Sequence, residues 1–161
     1  MHETIKTDWQ WSSFEQLSRD DLYAVIAARQ EVFVLEQNCV YQDVDFVDQQ
    51  AWHLLGWQTR DGVRQLVAYL RCVLPGVKYD ELSLGRVLSV KSARGSGIGR
   101  ELLAEGIRRA ELQFPRQAIR ISAQLYLEAF YRGFGFVATS APYDEDGIPH
   151  VEMLRQSVCN D

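Results

Sequence analysis

The sequence is short of several things, and each shortage excludes a class of protein. Cysteine occurs only at Cys39, Cys72 and Cys159. An odd number of widely spaced thiols, none in a C-x-x-C, speaks against a disulfide framework and a zinc signature and fits a reducing compartment. The prolines are dispersed, and no repeat, low-complexity tract or Pro/Gly/Ser-rich linker divides the chain. No apolar run approaches the roughly 18 residues needed to span a bilayer. The first residues, Met1 to Asp8, lack the apolar stretch of a secretory leader. Positive charge is not in excess: 17 basic against 22 acidic residues leave a net charge of −5 and no basic surface for nucleic acid. Lys and Arg are also too scattered to anchor the chain on lipid. What is present is 161 residues, 47% apolar and 24% charged, enough for one hydrophobic core and no second one. The expectation is a single domain, 1–161, soluble and cytoplasmic, making no contact with nucleic acid or membrane.

Residues 1–17 read as an opening strand and loop, with Trp9 and Trp11 at period two. Ser18 and Asp21 resemble an N-terminal capping pair. After them Leu22, Val25, Ile26, Arg29, Val32 and Phe33 recur at steps of three and four, which predicts an amphipathic helix ending near Asn38. Residues 39–51 are acidic and irregular. Two strands, 53–58 and 65–74, flank the turn pair Asp61-Gly62 and predict a hairpin. A third strand, about 82–90, runs into the glycine-rich stretch 94–99. A helix comes next, with Leu103, Ile107 and Ala110 on one face, and Gly106 inside it suggests close packing on a sheet. A strand over 118–123, a short helix over 125–132 and a closing antiparallel pair, 136–140 with 151–154, complete the order β-α-β-β-β-α-β-α-β-β. That order is α+β in character: helices flanking a mixed, mostly antiparallel sheet.

Arg94-Gly95-Ser96-Gly97-Ile98-Gly99 carries the most chemistry. Glycines at alternate positions permit a tight turn and leave amides uncovered. The helix that starts there adds free N–H groups and partial positive charge. Such a turn either serves as structure alone or cradles a diphosphate, with Arg94 and Arg100 adding charge on either side. It is not a P-loop, since no Lys follows Gly99. It is not a dinucleotide fingerprint either, since the spacing is G-x-G-x-G, in mid-chain and after antiparallel strands. Tyr131 lies in a second cluster, where Leu127, Phe130, Tyr131 and Phe134 form an apolar stripe at helical spacing. That pattern fits core packing or a positioned hydroxyl.

Arg94, Gly97 and Gly99 satisfy the pattern [RQ]-x-x-G-x-[GA], and Tyr131, Gly135 and Phe136 satisfy Tyr-x-x-x-Gly-Phe. In this order the two resemble motifs A and B of the GNAT superfamily, the GCN5-related N-acetyltransferases. The resemblance covers roughly residues 20–155. Residues 36–45, 53–57 and 146–150 narrow it to the ElaA-like branch. Ser92 stands where the superfamily usually has proline, Gln124 where it has Asn, Leu127 where it has Ala, and Phe46 where the branch commonly has Gly.

The resemblance implies an α/β/α-layered fold and an acetyl-CoA-dependent N-acetyltransferase working by direct attack of an amine in a ternary complex. Acetyl-CoA would be the co-substrate, with no metal. It implies that Arg94, Gly95, Ser96, Gly97, Ile98, Gly99 and Arg100 hold the pyrophosphate. The backbone of Val87, Leu88 and Ser89 would bond the pantetheine arm, with Gln124 nearby, and Tyr131 would protonate the leaving thiolate. A tyrosine of pKa about 10 is still protonated when a thiol near 8.5 leaves as an anion.

The amine must lose a proton, since deprotonating a lysine-like ammonium of pKa about 10.4 at pH 7 costs about 4.6 kcal/mol. Candidates to accept it are His53, His150, Asp45, Asp48 and Glu145. Each histidine suits a structural role as well as a site role, with both favoured as lining the substrate site. The acidic stretch suits either a solvated loop or a surface attracting a cationic amine. Two other readings stay open: a non-catalytic acyl-CoA-binding or sensor module, and an enzyme using the turn for another nucleotide. The chain is expected to act as a monomer or homodimer.

Overall fold

The computed structural model describes residues 4–158; Cys159, expected to be a free thiol, lies outside them. Strand β1 (Asp8–Ser13) is followed by helix α1 (Arg19–Arg29). Ser18 caps α1 as expected: its Oγ accepts the Asp21 N–H at 3.0 Å. Beyond Arg29 the expected single helix changes its hydrogen bonding. Gln30–Glu36 is a π-helical segment continuing α1, a rare form that concentrates near functional sites. The stripe read from the sequence is the buried face through both parts, with Val25, Val32 and Phe33 beside a fully buried Arg29.

Strands β2 (Ala51–Arg60) and β3 (Val63–Val73) form the expected hairpin. Asp61 and Gly62 both take positive φ, +51° and +75°, as a two-residue turn between right-twisted strands requires. Then come β4 (Leu82–Ser89), α2 (Ile98–Gln113), β5 (Ile119–Gln124), α3 (Glu128–Arg132), β6 (Val137–Ala138), β7 (Tyr143–Glu145) and β8 (Ile148–Arg155). The sequence pattern does not predict β7, a three-residue exposed arm paired with β8 across the Asp146-Gly147 turn. It is too short and polar to carry an alternating pattern.

The strands join in one eight-stranded sheet, β1-β2-β3-β4-β5-β8-β6, with β7 also on β8. All pairs are antiparallel except β4 with β5. Successive residues of β2 and β3 point to opposite faces, and both faces are covered. Leu54 and Leu70 pack with Leu102, Leu103 and Ile107 of α2, while Leu55 and Tyr69 pack with Val25, Val32 and Phe33. This is the three-layered α+β arrangement expected. Gly106 fits its assigned purpose, since a Cβ there would come within 2.6 Å of Leu70 Cδ2.

Two irregularities position the site. First, β4 and β5 pair only at Leu82–Ile119 and Ser83–Arg120. From Leu84 to Ser89 the β5-facing edge of β4 has no strand beside it. Second, β4 is bulged: Tyr69 pairs with Leu88 and Arg71 with Gly85, so Arg86 and Val87 oppose one residue of β3. Arg86 sits there at φ +52°.

Candidate active site

The gap between β4 and β5 opens into a cleft of about 1090 Å³, ample for a ligand larger than a drug-sized molecule. One wall is β4 from Ser83 to Ser89, and another is β5 with α3; the π-helical segment and residues of β7 and β8 close the rest. The glycine turn lies where β4 leads through a short 3₁₀ turn into α2. Gly95 and Gly97 take φ of +85° and +84°, which a side chain would strain. No side chain caps α2, so its first N–H groups remain available to an anion. A bare strand edge and an uncapped helix start therefore share one cleft, which fits a long ligand with amides along it and phosphates at one end.

The arginines of the turn are engaged in different ways. Arg94 donates to Ser89 O at 2.8 and 3.1 Å and pairs with Glu36 at 2.6 Å, spanning from the turn to the π-helical segment. Arg100 stands over the rings of Phe130 and Phe134, 5.9 and 5.8 Å from their centroids. Gly99 and Arg94 line the cleft, as do Val87, Leu88 and Ser89. Gly95, Ser96, Gly97 and Arg100 lie exposed at the turn, and Ile98 is buried in the core beneath it.

Tyr131 unites its two sequence readings. Its ring packs edge-on against Phe130 and Phe136, and the residue also lines the cleft. Burial pushes its hydroxyl up to about 12, so it stays protonated throughout the neutral range. Gln124 lines the cleft beside Gln37, its Nε2 donating to Gln37 Oε1 at 3.3 Å.

The two histidines part company. His150 sits on β8, opposite Gln124 in register, and lines the cleft. Its Nδ1 lies 2.7 Å from Ile148 O. A carbonyl only accepts, so the neutral ring carries its proton on Nδ1 and keeps a lone pair on Nε2, 3.3 Å from Glu145 Oε2. Ser122 Oγ donates to Glu145 Oε2 at 3.2 Å and is hydrogen-bonded to Tyr143. His53 is buried away from the cleft lining, with both nitrogens used: Nε2 donates to Asp48 O at 2.9 Å and Nδ1 accepts from Tyr69 Oη at 2.7 Å. Burial lowers its pKa and holds it neutral. The structure thus brings His150, Glu145 and Tyr131 to one cleft and leaves His53 in the fold's interior.

The acidic stretch is neither a solvated loop nor a free anionic surface. Asp43 and Asp48 are buried. Arg29 bonds Asp43 Oδ2 at 2.8 Å and Asp48 Oδ1 at 2.7 Å. Arg71 holds both oxygens of Asp45, at 2.8 and 2.7 Å, and shares Asp48 Oδ1 at 2.9 Å. Arg86, from the bulge, reaches Asp43 Oδ1 at 2.7 Å in a bent ion pair and Asp45 Oδ2 at 3.3 Å. Burial by itself raises the carboxyl of Asp45, but its bonds to Arg71 outweigh that and hold it well below the usual carboxylate range. Asp45 and Asp48, expected at the substrate site, are absent from the cleft lining because these arginines engage them. Sequence reasoning does not pair Arg29, Arg71 and Arg86 with them. A charged residue inside the apolar stripe of α1 is the available signal for Arg29. Phe46, where the resembled branch has Gly, takes φ +61°, a conformation glycine adopts without cost.

A deep cleft in a split, mostly antiparallel sheet, with an uncapped helix start, a bare strand edge and a buried tyrosine, defines the class as a CoA-dependent acyltransferase fold. Comparison places the chain within that class. The profile of the acetyltransferase (GNAT) domain matches residues 65–156. Protein ElaA of Escherichia coli is 35% identical over 94% of this chain and 97% of its own, and a UPF0039 protein of Synechocystis is 43% identical over 93% and 96%. The crystal structure of an acyl-CoA N-acyltransferase from Pseudomonas aeruginosa superposes with a TM-score of 0.87 at 41% identity, covering 93% of this chain and 99% of that one. This chain belongs to the GNAT acetyltransferase family, in its ElaA-like branch. Among the described residues no helix is long and apolar enough to cross a membrane, and no cluster of three or more His, Cys, Asp or Glu residues is placed to hold a metal.

Proposed function

We propose that this protein is a cytoplasmic, single-domain acetyl-CoA-dependent N-acetyltransferase. It transfers the acetyl group to a primary amine by direct attack. The observation that carries this reading is that one cleft joins the glycine turn, the bare edge of β4, Tyr131 and His150, whose Nε2 faces Glu145. The turn's amides and the start of α2 receive the pyrophosphate, with Arg94 and Arg100 near it. Backbone groups of Val87, Leu88 and Ser89 receive the pantetheine amides, as an edge strand receives another strand. Gln124 sits beside that path. A backbone N–H near Leu88–Ser89, on the part of β4 that β5 does not reach, polarises the thioester carbonyl in this reading.

In the reaction the amine nitrogen attacks the thioester carbon. A C–N bond forms, the C–S bond breaks and CoA leaves as a thiolate. His150 Nε2 takes the amine's proton, and the resulting imidazolium faces Glu145. The Tyr131 hydroxyl gives its proton to the thiolate and is reprotonated from solvent, to which the imidazolium releases the proton taken from the amine.

Thermal unfolding with and without acetyl-CoA, against NAD and ATP controls, tests this. At about 100 times its dissociation constant a ligand stabilises the fold by about 2.7 kcal/mol, roughly 5–10 °C for a domain of this size. A shift specific to acetyl-CoA, together with amine-dependent thiol release, supports the reading. A shift without release from any amine favours a non-catalytic acyl-CoA-binding module. No shift at millimolar acetyl-CoA overturns both.

A further inference from the structure

Acetyl transfer by this cleft requires an acceptor, and the far end of the cleft has charges of its own that bear on its chemistry; the inference rests on the acetyl-transfer reading. Beyond the β4 bulge the lining includes Arg71, Lys78, Ser83, Ser122, Glu145 and His150. Behind it the three guanidinium groups of Arg29, Arg71 and Arg86 meet the three carboxylates of Asp43, Asp45 and Asp48. That network is balanced and offers a ligand no net charge.

Lys78 is outside this balance. It lies on the loop joining β3 to β4 and has no ion pair or hydrogen bond among the described residues. It remains open to solvent at the cleft, as a group that receives a ligand must. Its ammonium is nevertheless disfavoured there. Burial lowers its pKa first, and the nearby guanidinium groups of Arg71 and Arg86 lower it further, against weaker support from Asp45 and Glu145. Arg71, fully buried, also keeps an Nε–H without a partner among the described residues. The cleft thus combines a lysine whose positive charge is incompletely compensated with the His150–Glu145 pair. An anion delivered to Lys78 offsets its repulsion from the two arginines. A second ammonium delivered to the same place adds to it.

We propose that the acceptor is an amine that also carries a carboxylate, as a free amino acid or a short peptide does. Lys78 receives the carboxylate while the amine reaches His150. A plain diamine or polyamine places its second cation against Lys78 and is a poor acceptor. Lys78 is here a specificity residue: it binds the part of the substrate that does not react.

The test uses matched pairs that differ only in the carboxylate: L-lysine with cadaverine, L-tyrosine with tyramine, and L-phenylalanine with phenethylamine. Each is assayed for thiol release from acetyl-CoA by the full-length chain. The expected result is a kcat/KM at least tenfold higher for the carboxylate-bearing member, about 1.4 kcal/mol, expressed mainly in KM. In Lys78→Gln the ratio falls towards one, and in Lys78→Arg most of it returns. Lys78 is solvent-exposed on a loop, so both variants should fold, and the acetyl-CoA thermal shift of each checks this. Equal or better use of the decarboxylated amines overturns the inference and leaves acetyl transfer standing. So does a preference that survives in Lys78→Gln. An acetyl-CoA thermal shift with no release from any pair overturns the inference as well, and favours the non-catalytic acyl-CoA-binding module. Absence of any acetyl-CoA shift overturns the acetyl-transfer reading itself.

Discussion

His53 and His150 differ in what remains after their hydrogen bonds are made. Both come after a segment with turn character, both begin or enter a strand, and sequence pattern weighs them equally. His53 is enclosed by Tyr69 and the Asp48 carbonyl, with both nitrogens engaged and burial disfavouring its charge. His150 uses one nitrogen on its own strand and keeps the other in the cleft beside a carboxylate. The acidic stretch and the glycine turn contrast in the same way. Three aspartates are saturated by three arginines, whereas the turn leads into a helix start with no side chain bound to it. In this protein the aspartates held by arginines build the fold, and the groups left without such partners face the cleft.

The largest effect that would break this comparison lies in the saturated cluster. Asp48→Ala leaves Arg29 and Arg71 short of a shared partner in a buried setting, and removing one member of such a cluster costs about 3–5 kcal/mol. The denaturant midpoint should fall accordingly, and a change below about 1 kcal/mol would show that the cluster is not structural. Next comes Tyr131→Phe. It keeps the ring's packing and removes the acid, so kcat should fall about a hundredfold, the lower end of what a general acid contributes. Acetyl-CoA affinity should be nearly unchanged, and an unaltered kcat would remove Tyr131 from the mechanism.

His150→Gln and His53→Gln sharpen the comparison directly. The first should lower kcat at least tenfold more than the second, while the second lowers the unfolding free energy by about 1–3 kcal/mol, the cost of unmade buried hydrogen bonds. Stopped assays and chemical denaturation of the two variants separate the effects, and the reverse pattern would exchange the roles assigned here. The smallest effect is Phe46→Gly. It removes a left-handed φ from a bulky residue and should stabilise the fold by about 0.5–1 kcal/mol, offset in part by glycine's greater freedom when unfolded. Differential scanning calorimetry should show a small rise in Tm.

The buried tyrosine also sets a pH dependence. Tyr131 ionises near 10 when unfolded and at about 12 in the fold. Its contribution to stability is therefore full below pH 10 and is lost as pH rises above 10 towards 12, because the unfolded chain releases the proton first. Glu81 acts at the other end. Its hydrogen bond to Arg120 lowers it to about 2, so its contribution is present above the usual range near 4.5 and fades as pH falls towards 2. Urea midpoints measured across pH check both: the parent should lose stability relative to Tyr131→Phe as pH rises above 10, and Glu81→Gln should converge on the parent as pH falls towards 2.

Local patterning made much of the fold legible. The stripe Val25, Arg29, Val32, Phe33 fixed a buried helical face, because side chains three and four apart share one side of a helix. Asp61-Gly62 fixed the hairpin through the positive φ its turn demands. Gly95 and Gly97 fixed the tight turn before α2, because only glycine takes its positive φ without strain, and the order of the two motifs fixed the family. None of these needs a distant partner to be recognised.

The tertiary structure decided what depends on distant partners. Arg29, Arg71 and Arg86 come from a helix and two strands, and only packing brings them onto Asp43, Asp45 and Asp48. The cleft exists because β4 and β5 part after two residues, a divergence with no local signature. Lys78 acquires meaning only from being placed near Arg71, Arg86 and the cleft. The sequence by itself determined most of the elements, the glycine turn and the family, because those depend on periodicity, backbone sterics and motif order, while the short polar β7 and the π-helical end of α1 carry no such pattern. Which carboxylates and which histidine reach the cleft was decided by the tertiary structure, because a polar group's availability is what remains after every neighbour has made its bonds.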